Sequence, residues 1–385
     1  MKRSMQPLRS RPAVPPIYQT SVFAFDSLEQ VDQAFGGEAG AFVYSRYGNP
    51  SVQALEVTLA HLERTEAALV ASSGMAALAI GVLSLCGQGD HIIAAQDLYG
   101  GTQALFQRDF SRWGIDVTFV DALNVARVED AIRPNTKLIF VETISNPLMK
   151  VADLSRLAAV KRGFGIPLMV DNTFASPVLC RPSEWGADLV MESLTKYLNG
   201  HSDVTAGAIM GSKELIGRMR PLHADFGAVT SPFDAWLVQR SLQTLKLRMQ
   251  QHCRNAALLA EFLAAQPKVM KVHYPGLPGH PQHALAATQM SSYGGMLSFV
   301  VEGGCYGAAQ VIKRLQRVDF VPSLGGTSTT VSHPAKTSHR GMTGMDRVRL
   351  GIDDGLIRVS AGLEDGDDIS ADFAQALAWG GEQCR

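Results

Sequence analysis

KLIFVETISNPLMKVADLSRLAAVKRGFGIPLMVDN, residues 137–172, reads as strand, helix and strand in succession. Its two ends are short apolar runs, and residues 151–162 between them carry helical spacing of apolar positions. Similar runs recur on both sides, as HIIAAQ, DVTFVDA, ADLVMESL and TAGAIMGS between His91 and Ser212. Strands that alternate with helices predict an α/β fold with a mainly parallel central sheet covered on both faces. Ligands of such sheets gather at the carboxyl ends of the strands, so the residues that follow each run carry the functional information.

Two of the runs end in chemistry. PLMVDNTF delivers Asp171, and ADLVMES leads into SLTKYLNGHSD (193–203), where Lys196 follows the hydroxyls of Ser193 and Thr195. A buried amine and a buried acid at one sheet edge suit a Schiff-base lysine. In a site for pyridoxal 5'-phosphate the lysine anchors the cofactor, the acid keeps the pyridine nitrogen protonated, and hydroxyls bind the phosphate. Ser72-Ser-Gly-Met75 precedes an apolar helix beginning near Ala76, and a helix N-terminus binds phosphate through its free amides and dipole.

Each fragment also has a plainer reading. Ser72–Met75 alone is a capped helix, and Asp171 alone is a cap or turn former. Lys196 alone is a surface lysine or half of a salt bridge. Tyr99, in DLYGG, is either a half-buried loop aromatic or a ring that stacks on the pyridine. Arg358, in GLIRVSAGLED, pairs with Asp353 or Glu364, or clamps a substrate carboxylate through two parallel bonds. Their joint order favours the cofactor site.

At 385 residues, 46% apolar and 18% charged, the chain suits a globular enzyme of two or three domains. We expect an N-terminal arm over 1–50, a large cofactor-binding domain over 51–246 and a smaller α+β domain over 247–385. The stretch 233–265 has the spacing of a long helix, straight or bent, leading into that last domain, followed by a strand in GGMLSFVVEG and a closing helix in DISADFAQALAWG. With 35 basic and 36 acidic residues and no block of like charge, nothing recruits nucleic acid or an anionic membrane. Cys86, Cys180, Cys253, Cys305 and Cys384 lack metal-ligand spacing and suit reduced thiols in the cytoplasm, and no metal is expected. Lys2 and Arg3 precede no apolar stretch of signal-peptide length. Uncharged Ala67–Gly87 is long enough to span a bilayer, but its serines and glycines read as a buried soluble helix. A nicotinamide dehydrogenase is set aside because GQGDHI lacks the third glycine of the dinucleotide fingerprint.

From VPPIYQTSVF at Val14 the chain continues through YSRYGNPSV, SSGMAA, DLYGGT, VETISNP, VDNTF, SLTKYLNGHSD, GAVTSPFDAWL, SLGG and HPA to GLIRVSAGLED. In this it resembles the pyridoxal-phosphate enzymes of cysteine and methionine metabolism, which include cystathionine γ-synthases, cystathionine γ-lyases and methionine γ-lyases. The resemblance implies an aspartate-aminotransferase-like fold and a homotetramer built from dimers that share active sites. By motif, Lys196 would carry the cofactor, Asp171 would bond its pyridinium nitrogen, and Tyr99 would stack on the ring and protonate the departing group. Gly74, Met75, Ser193 and Thr195 would hold the phosphate, completed by Tyr44 and Arg46 of the neighbouring subunit. Asn146 and Arg358, with Ser323 beside them, would bind the α-carboxylate of an amino-acid substrate. The implied activity is γ-elimination on a sulfur-containing amino acid to a 2-oxo acid, ammonia and a thiol. The alternatives are γ-replacement on a homoserine ester and, in another class, transamination.

The distal end of the substrate is where this sequence departs from its relatives. Pro322 stands where cystathionine-handling members commonly carry glutamate before SLGG, and Ala104 where they often carry arginine. Gly101 stands at the cysteine of methionine γ-lyases, and His223-Ala224 at their lysine–aspartate pair. A site without those polar contacts has little with which to reward a second ammonium or carboxylate. TSTTVSHPAKTSHR (327–340) is hydroxyl-rich, with an atypical Lys336, and reads as a solvent-exposed loop; substrate contact is the alternative.

Overall fold

The computed structural model describes residues 10, 12–37 and 40–379; Lys2, Arg3 and Cys384 lie outside them. Seven strands form the first sheet: β1 (Ala67–Ala71), β2 (His91–Ala95), β3 (Asp116–Val120), β4 (Thr136–Glu142), β5 (Leu168–Asp171), β6 (Leu189–Glu192) and β7 (Gly207–Gly211). Their order is β1-β7-β6-β5-β4-β2-β3, and β7 alone runs against the other six. The sheet is therefore mainly parallel, and the ends of β4, β5 and β6 present Glu142, Asp171 and Glu192 along one edge.

The helices of this part include α1 (Leu28–Phe35), which has no buried residue, and α2 (Pro50–Leu62), α3 (Gly74–Leu85), α4 (Gly100–Ala104), α5 (Leu154–Phe164), α6 (Lys213–Phe226), α7 (Pro232–Leu242) and α8 (Leu245–Ala264). Two expectations are corrected here. Ala67–Gly87 is not one buried helix, because Ala67–Ala71 pair residue for residue with Gly211–Gly207 and become β1. Long-range pairing overrides the local apolar signal there. The stretch 233–265 is two helices, broken where Thr244 leaves the helical region at φ −108°, ψ 3°. Arg248 braces the break by donating to Ser241 O (2.9 Å), Tyr197 O (2.7 Å) and Leu198 O (3.2 Å), which ties α8 to the loop that carries Lys196. The N-terminal stretch also contains α1, which Ser27 caps through a bond from Gln30 N.

A second, five-stranded sheet follows: β8 (Val269–His273), β9 (Met296–Val301), β10 (Asp319–Phe320), β11 (Thr330–Ser332) and β12 (Leu356–Ser360), ordered β10-β11-β12-β9-β8. With α9 (Gly366–Leu377) it closes a separate apolar core around Phe299, Val359, Phe373 and Leu263. Central β12 carries Arg358 toward the acid-bearing edge of the first sheet. Among the described residues no helix is long and apolar enough to cross a membrane.

A buried polar layer lies under that edge. Glu192 and Glu63 are 0% and 1% exposed. Asn172 donates to Glu63 Oε1 (3.0 Å) and Cys180 O (2.9 Å), and accepts from Thr143 Oγ1 (2.8 Å). Glu63 Oε2 and both carboxylate oxygens of Glu192 are buried without a hydrogen-bond partner among the described residues. Burial raises the pKa of Glu63 to about 7, and burial with the neighbouring charges of Glu63 and Asp171 raises that of Glu192 well above the carboxylate range. Acids raised in this way bind protons more tightly when folded. Their contribution to stability is full below the unfolded value of 4.5 and is lost as pH rises through about 7. Glu192→Gln keeps the shape and removes one ionisation, so its Tm should fall less than that of the unchanged protein between about pH 5 and about pH 8. Thermal unfolding across that window checks this; equal slopes would show that Glu192 does not carry a raised pKa.

Candidate active site

One cavity of about 600 Å³ opens between the carboxyl edge of the first sheet and the second sheet. It brings together Lys196, Asp171, Tyr99, Gly74, Met75, Ser193, Thr195, Asn146 and Arg358, and Ser323 joins them through Lys196. These residues are up to 284 positions apart in the chain, from Gly74 to Arg358. A larger hollow of about 780 Å³, lined by Arg181, Lys246 and Cys253, has no comparable pairing of acid and amine.

Lys196 sits on the turn after β6 and donates Nζ to Ser323 Oγ at 3.1 Å. Burial lowers its pKa, and the charge of Arg358 adds to that, so the amine is more readily neutral than a surface lysine. Asp171 ends β5 facing the same space. Its carboxylate accepts from Thr173 N at 2.9 Å, yet burial outweighs this bond and raises its pKa. An acid in that state gains from a cationic partner.

The start of α3 forms an anion cradle. Ser73 caps the helix by accepting from Ala76 N at 3.1 Å, and the amides of Gly74 and Met75 have no protein acceptor among the described residues. Gly74 is required by close approach: a Cβ there would stand 3.0 Å from Ser193 Cβ. Gly207 meets the same point from β7, where a Cβ would lie 2.3 Å from Ser73 O. Ser193 is thereby held against the helix N-terminus, while the Thr195 hydroxyl is committed to the backbone of Ala206 at 3.1 and 3.0 Å.

Arg358 forms no ion pair with Asp353 or Glu364. Its Nη1 donates to Asn146 Oδ1 (3.1 Å) and its Nη2 to Ser323 O (3.1 Å), while buried Nε has no partner. Burial lowers its pKa to about 10, which leaves it charged at neutral pH. A buried guanidinium without a carboxylate is a receptor for one.

Glu142 was not legible as a site residue, although it ends its strand as Asp171 does. Its carboxylate accepts from Tyr99 N (2.6 Å) and Asn146 N (3.2 Å), and so couples the ring residue to the Arg358 partner. Burial and the charge of Asp171 raise its pKa well above the usual range. Tyr99 itself is 45% exposed, and Gly101 leaves room for its ring: a Cβ at 101 would stand 2.5 Å from Tyr99 Cε1.

Other expected residues lie elsewhere. Tyr44 and Arg46 do not line this cavity; Arg46 donates to Ala224 O at 2.8 Å and stacks over the rings of Tyr44 and Tyr47. Ala104 is exposed on α4 outside the cavity, and His223 is buried in α6. The segment 327–340 is not a free solvent loop. Thr329, His333, Ala335 and His339 are buried, and Lys336, Thr337, Ser338 and Arg340 line the cavity together with Pro322. It packs inward because Gly100 leaves no side chain in the way of Ser338 O, which a Cβ would approach to 1.8 Å.

The residues present fit pyridoxal phosphate: an anion cradle with free amides, a buried acid for the ring nitrogen, an amine, and an aromatic face in one cavity. The sequence model of the Cys/Met metabolism PLP-dependent enzymes matches residues 2–378. L-methionine gamma-lyase of Porphyromonas gingivalis is 44% identical over 365 residues, spanning 94% of this chain and 92% of that one. O-succinylhomoserine sulfhydrylase of Pseudomonas aeruginosa is 43% identical over 366 residues, spanning 94% and 90%. The crystal structure of cystathionine gamma-lyase from Lactobacillus plantarum complexed with L-serine superposes with a TM-score of 0.89 at 37% identity, over 94% of this chain and 93% of that one. By sequence along nearly its whole length, by fold and by the fit of its cavity, the chain belongs to the family of Cys/Met metabolism PLP-dependent enzymes.

Proposed function

We propose that the enzyme eliminates the γ-substituent of a sulfur-containing amino acid, releasing a 2-oxo acid, ammonia and a thiol. The observation that carries this reading is the pairing in one cavity of a neutral-leaning Lys196 with the Arg358–Asn146 receptor for an α-carboxylate. Pyridoxal phosphate, when bound, supplies the electron sink that stabilises negative charge beside the amino group.

The side chains supply the rest. Arg358 orients the α-carboxylate with its free Nε and its Nη groups, and Asn146 fixes the guanidinium plane. Lys196, lowered in pKa by burial, takes the Cα proton, and Ser323 holds its amine in place beforehand. Tyr99, at the cavity wall, protonates the departing sulfur. Gly74, Met75 and Ser193 would hold the phosphate and Asp171 the ring nitrogen, while Thr195, whose hydroxyl and amide both donate to Ala206 O, would shape the loop that carries Ser193 and Lys196. Residues 1–50 serve as an arm whose Tyr44 and Arg46 complete the neighbouring subunit's phosphate site, 51–246 hold the cofactor, and 247–385 close over the substrate. The working unit is then a dimer, paired into a tetramer, acting in the cytoplasm; Cys86, Cys180, Cys253 and Cys305 are free thiols.

Replacement is the second reading, since the sulfhydrylase of P. aeruginosa is as similar as the lyase of P. gingivalis. The enzyme should release 2-oxobutanoate and stoichiometric ammonia from methionine, cystathionine or homocysteine without added thiol. Keto acid or thioether formed only from homoserine esters would favour replacement, and an intact γ-substituent with no ammonia would favour transamination. Lys196→Ala should lower kcat by at least roughly 10²–10⁴-fold, and an undiminished rate would remove Lys196 from the proton transfers. Pro322→Glu should shift relative kcat/KM toward cystathionine by about tenfold; unchanged ratios across substrates would exclude position 322 from specificity.

A further inference from the structure

The segment 336–340 brings positive charge to the cavity wall. Lys336 and Arg340 both line it, and neither forms a salt bridge or side-chain hydrogen bond among the described residues. The backbone between them is firmly seated. His339 is 2% exposed and its Nδ1 meets Ser338 Oγ at 2.9 Å; Thr337 Oγ1 donates to His333 O at 2.9 Å; Ser338 O rests on Gly100 beside Tyr99. A nearby acid, Asp354, is occupied by Arg347 at 3.3 Å.

The lining acids cannot neutralise these cations. Only Glu142 and Asp171 line the cavity, both at the sheet edge, where Glu142 is bonded by two amides and Asp171 by Thr173 N. Pro322, on the same outer wall, adds no charge. The α-carboxylate of a substrate already has its receptor in Arg358, so a second pair of cations serves a second anion.

We infer that Lys336 and Arg340 form an anion subsite at the outer end of the cavity, selecting amino acids whose γ-substituent ends in a carboxylate without an ammonium group beside it. This rests on the γ-elimination or γ-replacement reading and narrows its substrate class. It also replaces the expectation that nothing at this end rewards a carboxylate. A γ-substituent bearing both charges, as in cystathionine, gains less, because no free acid meets its ammonium.

The test uses the holoenzyme and two unreactive ligands that differ only at the far end, L-2-aminosuberate (carboxylate) and L-2-aminooctanoate (methyl). Calorimetry should show aminosuberate binding at least about tenfold more tightly. In Lys336→Met/Arg340→Met the gap should close, and in Lys336→Glu it should reverse. Both positions are exposed, so the variants should fold. Equal binding in the unchanged enzyme, or a gap that survives the double substitution, would overturn the subsite. In parallel, S-(2-carboxyethyl)-L-homocysteine should exceed S-propyl-L-homocysteine in kcat/KM by a similar factor. If neither thioether releases thiol or ammonia, the elimination reading fails, while the binding pair still decides the subsite.

Discussion

Three acids end three neighbouring parallel strands, and the site is organised by how each is kept from standing as an unpaired buried charge. Glu142 and Asp171 are register partners, and Asp171 in turn pairs with Met191, one residue before Glu192. Ionised carboxylates this deep cost several kcal/mol each unless bonded or protonated. Burial and the charges of Glu63 and Asp171 raise the pKa of Glu192 and favour its neutral form, and Glu142 accepts the amides of Tyr99 and Asn146. Asp171 has the Thr173 amide and an open side toward the cavity. It lines the cavity with one amide on its carboxylate where Glu142 has two, and Lys196 and the α3 cradle line the same space.

Much of this arrangement was legible because short apolar runs ending in an acid mark strands of a parallel sheet. Asp171 and Lys196 were found that way, and the cavity brings them together with Arg358 from 162 residues beyond Lys196. Glu142 carries the same signal in KLIFVETI, but nothing local shows that its carboxylate holds two amides. β1 was hidden because AALVA runs without a charge into an equally apolar helix, and only the antiparallel partner β7 makes it a strand. The break between α7 and α8 has no glycine or proline to announce it; Arg248 reaches across it to carbonyls that a sequence cannot place.

The outer wall was the least legible part. Ala104 sits outside the cavity, whereas the segment carrying Lys336 and Arg340, whose composition suits an exposed loop, lines it. The decisive contact is steric: Gly100 admits the carbonyl of Ser338 where any side chain would block it. Gly101 likewise gives the Tyr99 ring its place. Two adjacent glycines thus set both the stacking ring and the distal wall, and the cofactor chemistry is separable from substrate choice. The sheet edge carries the acids and Lys196, and the 336–340 segment lines the cavity opposite Gly100.

The most direct test of the central claim is hydride reduction of the holoenzyme with borohydride, followed by peptide mass mapping. The pyridoxyl phosphate label should be found on Lys196 alone, in stoichiometric amount. A label on another lysine, such as Lys336 or Lys150, or no label on an enzyme that still turns over, would contradict the account.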